Sequence, residues 1–138
     1  VDSELERIDA SGTAVLTSGT DIANARLVFK NGCVANVTAS RISMKSERKM
    51  RMFRPCSYIA IDFQNRVLTK HFTGDKEMFP GIPEIATEES VFESGDALLE
   101  EIKHFINCIR TGETPLVSGE DGKKALETAT AITMLLEK

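Results

Sequence analysis

The chain has 138 residues and a formal charge of −4, from 21 acidic and 17 basic side chains, with no Trp and one Tyr. At about 150 residues per domain this is the length of one domain, too short to join a dinucleotide-binding domain to a substrate domain or to close a barrel of about 250 residues. The acidic balance and scarce aromatics argue against a nucleic-acid partner, and the longest apolar run, Tyr58 to Ile61, excludes a spanning helix of about 20 residues.

Residues 5–17 carry β-branched side chains around Gly12 and predict a strand bent at that glycine. Residues 21–30 and 33–42 flank Asn31-Gly32, which predicts a hairpin closed by a two-residue type I′ turn. That register sets Phe29 opposite Val34. Ala25 and Leu27 then share a face with Asn36 and Thr38, while Asn24 and Arg26 share the other with Ala35 and Val37. Both faces are mixed, which predicts that both are covered. Residues 48–54 form a short strand of basic residues alternating with Met and Phe, interrupted by Pro55. A second hairpin joins 57–63 to 66–72 through Gln64-Asn65, with Tyr58, Asp62 and His71 on one face. Residues 73–94 read as a long irregular link, because Gly74, Pro80, Gly81 and Pro83 act as breakers.

Two helices follow. In 96–110, Leu98, Ile102, Phe105 and Ile109 recur at helical spacing, with Ser94 or Asp96 to cap the start and Gly112 to stop the end. The second helix begins at Ser118, places Glu120 and Asp121 in its first turn, and carries Ala125, Leu126, Ala129, Ile132, Thr133 and Leu136. Strands followed by helices predict an α+β domain: a mainly antiparallel open sheet with helices on one face.

The chemistry is sparse. No glycine-rich phosphate loop follows a strand. Ser118-Gly119 opens a helix, but Glu120 and Asp121 repel an anion there. Cys33, Cys56 and Cys108 are an odd set without metal-ligand spacing, which predicts no zinc site and a reducing, cytoplasmic location. Tyr58, His71 and Asp62 suit a structural polar network better than acid–base work, since no nucleophile accompanies them. His104 reads as a helix-surface residue. Residues 41–54 hold six basic side chains against Glu47 alone, and residues 84–101 hold seven acidic ones and no basic one. The acidic stretch reads as a solvated loop and helix face. The basic stretch is either a charged edge strand or a wall for an anionic ligand, with Arg41, Lys49 and Arg51 as its substrate-binding candidates.

Two segments carry a resemblance. Asp21-Ile22-Ala23-Asn24-Ala25-Arg26-Leu27-Val28-Phe29-Lys30-Asn31-Gly32 through Arg41 is similar to the central hairpin of the C-terminal domain of the glucose–fructose oxidoreductase / inositol dehydrogenase / rhizopine-catabolism (Gfo/Idh/MocA) family. Thr111-Gly112-Glu113-Thr114-Pro115-Leu116-Val117-Ser118-Gly119-Glu120-Asp121-Gly122 through Glu127 is similar to that family's closing loop and last helix, and is the more specific of the two. The order and spacing match from about residue 5 to the end.

The resemblance implies a single C-terminal substrate-binding and oligomerisation domain over residues 1–138, without the dinucleotide-binding domain. The parent would be an NAD- or NADP-dependent dehydrogenase acting on a sugar, cyclitol or nucleotide sugar. It would be a homo-oligomer through the sheet face, whose mixed polarity fits such a contact. These residues alone would be inactive and bind no cofactor. The family's Glu-Lys-Pro and Asp-x-x-x-His motifs do not occur in this sequence, so no catalytic residue carries over to any position. The alternative from another class is a free-standing α+β module that self-associates without catalysis.

Overall fold

The computed structural model describes Val1 and residues 3–137, with side chains for all of these but Asp75. In chain order they form β1 (Leu5–Thr13), β2 (Ile22–Phe29), β3 (Val34–Ser40), β4 (Lys49–Arg54), β5 (Ser57–Asp62), β6 (Val67–Phe79), β7 (Ile82–Val91), α1 (Ala97–Thr111) and α2 (Gly119–Leu136). The α+β class stands, with the strands divided between two open antiparallel sheets, β1-β2-β3 and β4-β5-β6-β7. The chain forms two compact units, Val1–Met44 with Phe105–Lys138, and Lys45–His104.

In the first unit the β2–β3 hairpin corrects the expected turn. Val28 pairs with Val34 and Leu27 with Ala35, so the loop is Lys30-Asn31-Gly32. The Gly32 N–H donates to the Phe29 carbonyl at 2.9 Å, and Gly32 alone of the three takes positive φ, +84°. This is a three-residue loop with the glycine in the left-handed position, not a type I′ turn, which needs two such residues. One residue of slip turns every β3 side chain to the opposite face. Ala23, Ala25 and Leu27 now share a face with Ala35, Val37 and Ala39. Asn24 and Arg26 share the other with Asn36 and Thr38, where Thr38 Oγ1 donates to Asn24 Oδ1 at 2.8 Å. The polar side chains gather on one face, together with Ile22, Val28 and Val34, and the other face is apolar from Ala23 to Leu27 and from Ala35 to Ala39.

The apolar face holds the core of this unit. Ala25 and Leu27 are buried, opposite the half-buried Ala10 and Ile8 of β1. Cys108 of α1 is the third buried apolar residue among those described. α2 packs on β1 through half-buried residues including Thr128, Ala131, Ile132 and Leu136. Leu126 and Ala129 of the expected face are exposed. Gly12 is required by crowding. A Cβ there would lie 2.8 Å from Thr20 Cγ2, 2.9 Å from the Ile22 carbonyl oxygen and 3.1 Å from Leu136 Cδ2. The irregularity in β1 falls between Leu5 and Arg7, not at this glycine.

In the second unit β4 and β5 pair around Pro55-Cys56, with Phe53 opposite Tyr58. Cys56 sits at φ +59°, a conformation that a Cβ makes costly. The next hairpin has the expected register, Asp62 opposite Val67. Met50, Met52, Ile59, Ile61 and Leu68 fall on one face; Lys49, Arg51, Phe53, Tyr58 and His71 fall on the other. The expected link over 73–94 is instead a hairpin, because β6 runs on to Phe79 and pairs with β7. Pro80-Gly81 is its turn, with Gly81 at φ +80°, the residue pair that a type II turn prefers. Gly74 and Pro83 sit at or beside the register shifts between Thr73 and Phe79, so these breakers mark bulges rather than the end of pairing. Both edges of this sheet are charged: Lys49, Arg51 and Arg54 on β4, and Glu84, Glu88 and Glu89 on β7.

Both helix ends match the residues that cap them. Asp96 Oδ1 accepts from the Leu99 N–H at 3.0 Å, and Gly112, at φ +74°, donates to the Cys108 carbonyl. The expected apolar stripe of α1 is present, but Leu98, Ile102, Phe105 and Ile109 are exposed. Ser118 and Asp121 form a reciprocal capping box at the start of α2.

Gly12→Ala is expected to lower unfolding free energy by about 1–3 kcal/mol, because the clash includes backbone that does not yield. Gly19→Ala, with nothing within 4 Å of its built Cβ, is expected to be near neutral. Urea melts of the two variants side by side check this.

Candidate functional site

The β1–β2 connection is organised by one side chain. The Asp21 carboxylate has no solvent exposure and accepts three consecutive backbone N–H groups: Val15 at 2.8 Å, Leu16 at 2.7 Å and Thr17 at 2.8 Å. The Thr17 hydroxyl donates to its other oxygen at 2.7 Å. Arg41 approaches from the end of β3, with Nε 3.6 Å from Asp21 Oδ1 and Nη2 donating to the Thr20 carbonyl at 2.8 Å. The Thr17 N–H, then its hydroxyl, then the Val15 and Leu16 N–H groups hold the Asp21 carboxyl far below the ordinary carboxylate range, against the opposing effect of burial. An open cavity of about 1040 Å³ lies beside this cluster, walled by Gly12, Thr20, Ser40, Arg41, Thr133 and Glu137 among others. Arg41 therefore lines a cavity, but its guanidinium is engaged in holding the loop. Asp21 was missed as a site residue. Its signal was an Asp directly after Thr17-Ser18-Gly19-Thr20, a turn-forming cluster in which a carboxylate collects backbone donors.

The other two candidates lie on β4, in the second unit. Lys49 and Arg51 are two residues apart and point to the same face. Lys49 Nζ is 3.3 Å from Glu47 Oε1 and 3.9 Å from Asp62 Oδ2. Arg51 has no ion-pair partner among the described residues. Glu47 is held below the ordinary carboxylate range by hydrogen bonds from Lys45 and then Lys49. Two residues beyond Arg51, Phe53 begins a row that crosses the sheet. Its ring stacks on Tyr58 with centroids 4.8 Å apart, and Tyr58 stacks on His71 at 5.2 Å, both pairs within 9° of parallel. His71 Nδ1 lies 2.9 Å from Thr87 Oγ1 on β7. Asp62 does not join this row. Its oxygens accept from the Asn65 and Gln64 N–H groups and from the Asn65 side chain in the β5–β6 turn. Tyr58 and His71 are thus brought together as stacked rings, and Asp62 is not part of that arrangement.

Nothing at the helix start suits a dinucleotide. The Asp121 carboxylate occupies the Ser118 N–H at 2.9 Å and the Ser118 hydroxyl, and Glu120 adds a second negative charge. The residues present do not fit a pyrophosphate seat.

No protein-family model matches the chain. UDP-N-acetylglucosamine 3-dehydrogenase of Acidithiobacillus ferrooxidans is 33% identical over 130 residues, covering 94% of this chain and 41% of that protein. Its solved structure superposes with a TM-score of 0.87 at 32% identity, over 98% of this chain and 43% of that one. Myo-inositol 2-dehydrogenase of Thermotoga maritima is 51% identical over 43 residues, 31% of this chain and 13% of that protein. The chain belongs to the Gfo/Idh/MocA family. An aldose–aldose oxidoreductase from Caulobacter crescentus shares the Gfo/Idh/MocA fold, with a TM-score of 0.71 at 24% identity over 94% of this chain and 38% of that one. The chain spans about two fifths of the length of the Acidithiobacillus relative. Both segments that carried the resemblance to the Gfo/Idh/MocA family have clear structural roles. The first contains Asp21 and its ion-pair partner Arg41, and the second contains the Gly112 helix stop and the Ser118 capping box.

Asp21→Asn is expected to lower Tm by roughly 5–10 °C, since the amide offers one acceptor oxygen where the carboxylate uses two. A carboxyl whose folded value is depressed stabilises fully above its ordinary value of 3.8 and loses that contribution as pH falls below it. Acid melts of the parent chain should therefore steepen below about pH 4. The Asp21→Asn chain should lack that component, as circular dichroism against pH would show.

Proposed function

We propose that this chain is the C-terminal, substrate-binding and subunit-contacting domain of an NAD- or NADP-dependent oxidoreductase acting on a sugar, cyclitol or nucleotide sugar. The observation that carries this reading is the match, over nearly the whole chain in sequence and in fold, to an enzyme named for dehydrogenation of a nucleotide sugar. Residues 1–138 act as one domain in this reading. In the longer enzyme the dinucleotide would be held by chain outside these residues. Hydride transfer to or from the carbinol carbon then belongs to the whole enzyme. The part played by these residues is to present polar and cationic walls to the substrate. In the second unit Lys49 and Arg51 supply charge for an anionic group; in the first unit Arg41 lines the open cavity beside Asp21. A cytoplasmic enzyme agrees with the two exposed thiols, Cys33 and Cys56. No helix is long and apolar enough to cross a membrane among the described residues.

Subunit contact through a sheet remains part of the reading, with a different basis. The hairpin over 21–42 has a polar face, so its polarity no longer motivates burial. The supporting face is that of the second sheet, where Met50 and Met52 are exposed beside Ile59, Ile61 and Leu68. A contiguous apolar face of this kind marks an interaction surface. Met50→Lys with Met52→Lys is expected to reduce the oligomer to a smaller species in light scattering. An unchanged mass would remove this face from the interface.

In the longer enzyme, Arg51→Ala is expected to raise KM for the sugar substrate roughly tenfold while changing kcat less than about twofold. Steady-state kinetics with free sugars and nucleotide sugars, each with NAD and NADP, checks this. Absence of dehydrogenase activity with every such substrate would overturn the reading, as would tight NAD(P) binding by residues 1–138 in calorimetry.

A further inference from the structure

We propose that the Lys49–Arg51–Phe53 face of β4 is a subsite for a nucleoside diphosphate, with the base stacked on the outer face of Phe53 and the phosphates on Arg51 and Lys49. This rests on the oxidoreductase reading above and narrows its substrate to a nucleotide sugar. β4 is the edge strand of its sheet, so within that sheet no described strand lies beyond Phe53 on the side away from Tyr58. Phe53 is 75% exposed, yet its ring orientation is set by the Tyr58 ring 4.8 Å away, which is itself backed by His71. The row is an unfinished stack of near-parallel rings, and a nucleobase is the ligand group that extends such a stack.

Charge selects what accompanies the base. Alternate residues on one strand face are about 7 Å apart, so Arg51 stands about 7 Å from Phe53 and Lys49 about 14 Å. A ribose separates a base from its first phosphate, and the second phosphate lies further along the same direction. The order ring, guanidinium, ammonium thus follows the order base, first phosphate, second phosphate. Arg51 has no ion-pair partner among the described residues, and its planar fork suits a phosphate in two-point contact. Lys49 is shared with Glu47 and Asp62, so it contributes less and sits at the far end.

The sequence supplies a built-in reporter. Tyr58 is the only tyrosine and there is no tryptophan, so its ring resonances report on the row alone. Uridine diphosphate titrated into the 138-residue chain is expected to shift the Tyr58 ring signals, and inorganic diphosphate to bind more weakly. Phe53→Leu is expected to weaken uridine diphosphate roughly tenfold and leave inorganic diphosphate unchanged. Arg51→Ala is expected to weaken both roughly tenfold. Three results overturn the proposal: a Tyr58 ring that uridine diphosphate does not move, equal affinity in Phe53→Leu, or a Tyr58 shift that follows protein concentration without ligand, which assigns the ring row to a second copy. Failure of this subsite is separable from failure of the enzyme reading. A longer protein that oxidises free sugars while Tyr58 ignores the nucleotide keeps the second and loses the first.

Discussion

A carboxylate without solvent contact is costly unless its oxygens are filled, and the first unit is arranged around filling those of Asp21. Three backbone N–H groups, one hydroxyl and a guanidinium converge on it. The backbone takes part as well: the Asp21 N–H donates to the Thr13 carbonyl at 2.9 Å, and the Arg41 N–H donates to the Asp21 carbonyl at 3.0 Å. One residue therefore ties the end of β1, the loop over 14–20, the start of β2 and the end of β3. It also brings Thr20 against Gly12, which is why that position has no room for a side chain. The cavity beside it owes its shape to the same node, because the loop that walls it is held at its base by this carboxylate.

How much of this was legible depends on which physical signal spoke at each point. Strand positions up to residue 72 and both helix starts followed from propensity and capping chemistry, with Ser118 and Asp121 pairing as their spacing required. The Asn31-Gly32 turn misled because Asn-Gly suits two hairpin loops, one of two residues and one of three. Only the second separates Ala35 and Val37 from Asn36 and Thr38 in the way a one-sided sheet needs. Polarity, weighed over both strands, decides a register that the dipeptide alone leaves open. Residues 73–94 misled for a related reason. Gly74, Pro80, Gly81 and Pro83 do interrupt regular pairing, but two make a turn and two accompany bulges, and pairing resumes around them.

The candidate site was legible as charge and not as geometry. Lys49 and Arg51 were visible as alternating cations. Their relation to Phe53, Tyr58 and His71 depends on how β4 meets β5, and that is set by Pro55-Cys56. Proline fixes one half of this turn, and Cys56 accepts a left-handed conformation that glycine adopts more easily. The row of rings is the product of that strained corner. Arg41 was legible as a cation at a strand end, but nothing nearby in the sequence announced that its partner would be a carboxylate twenty residues earlier.

The two edges of the second sheet carry opposite charge, and this governs how copies of the chain meet. Two-fold pairing along an edge sets a strand against its own copy, antiparallel. At β4 that would bring cations onto cations, and at β7 carboxylates onto carboxylates. Pro83 further removes a donor from β7, and the irregular pairing between Thr73 and Phe79 disturbs the ladder beneath it. The sheet therefore resists being lengthened symmetrically by its own kind. A newly made chain, crowded among identical chains before it has met its proper neighbours, is steered toward contact by its faces.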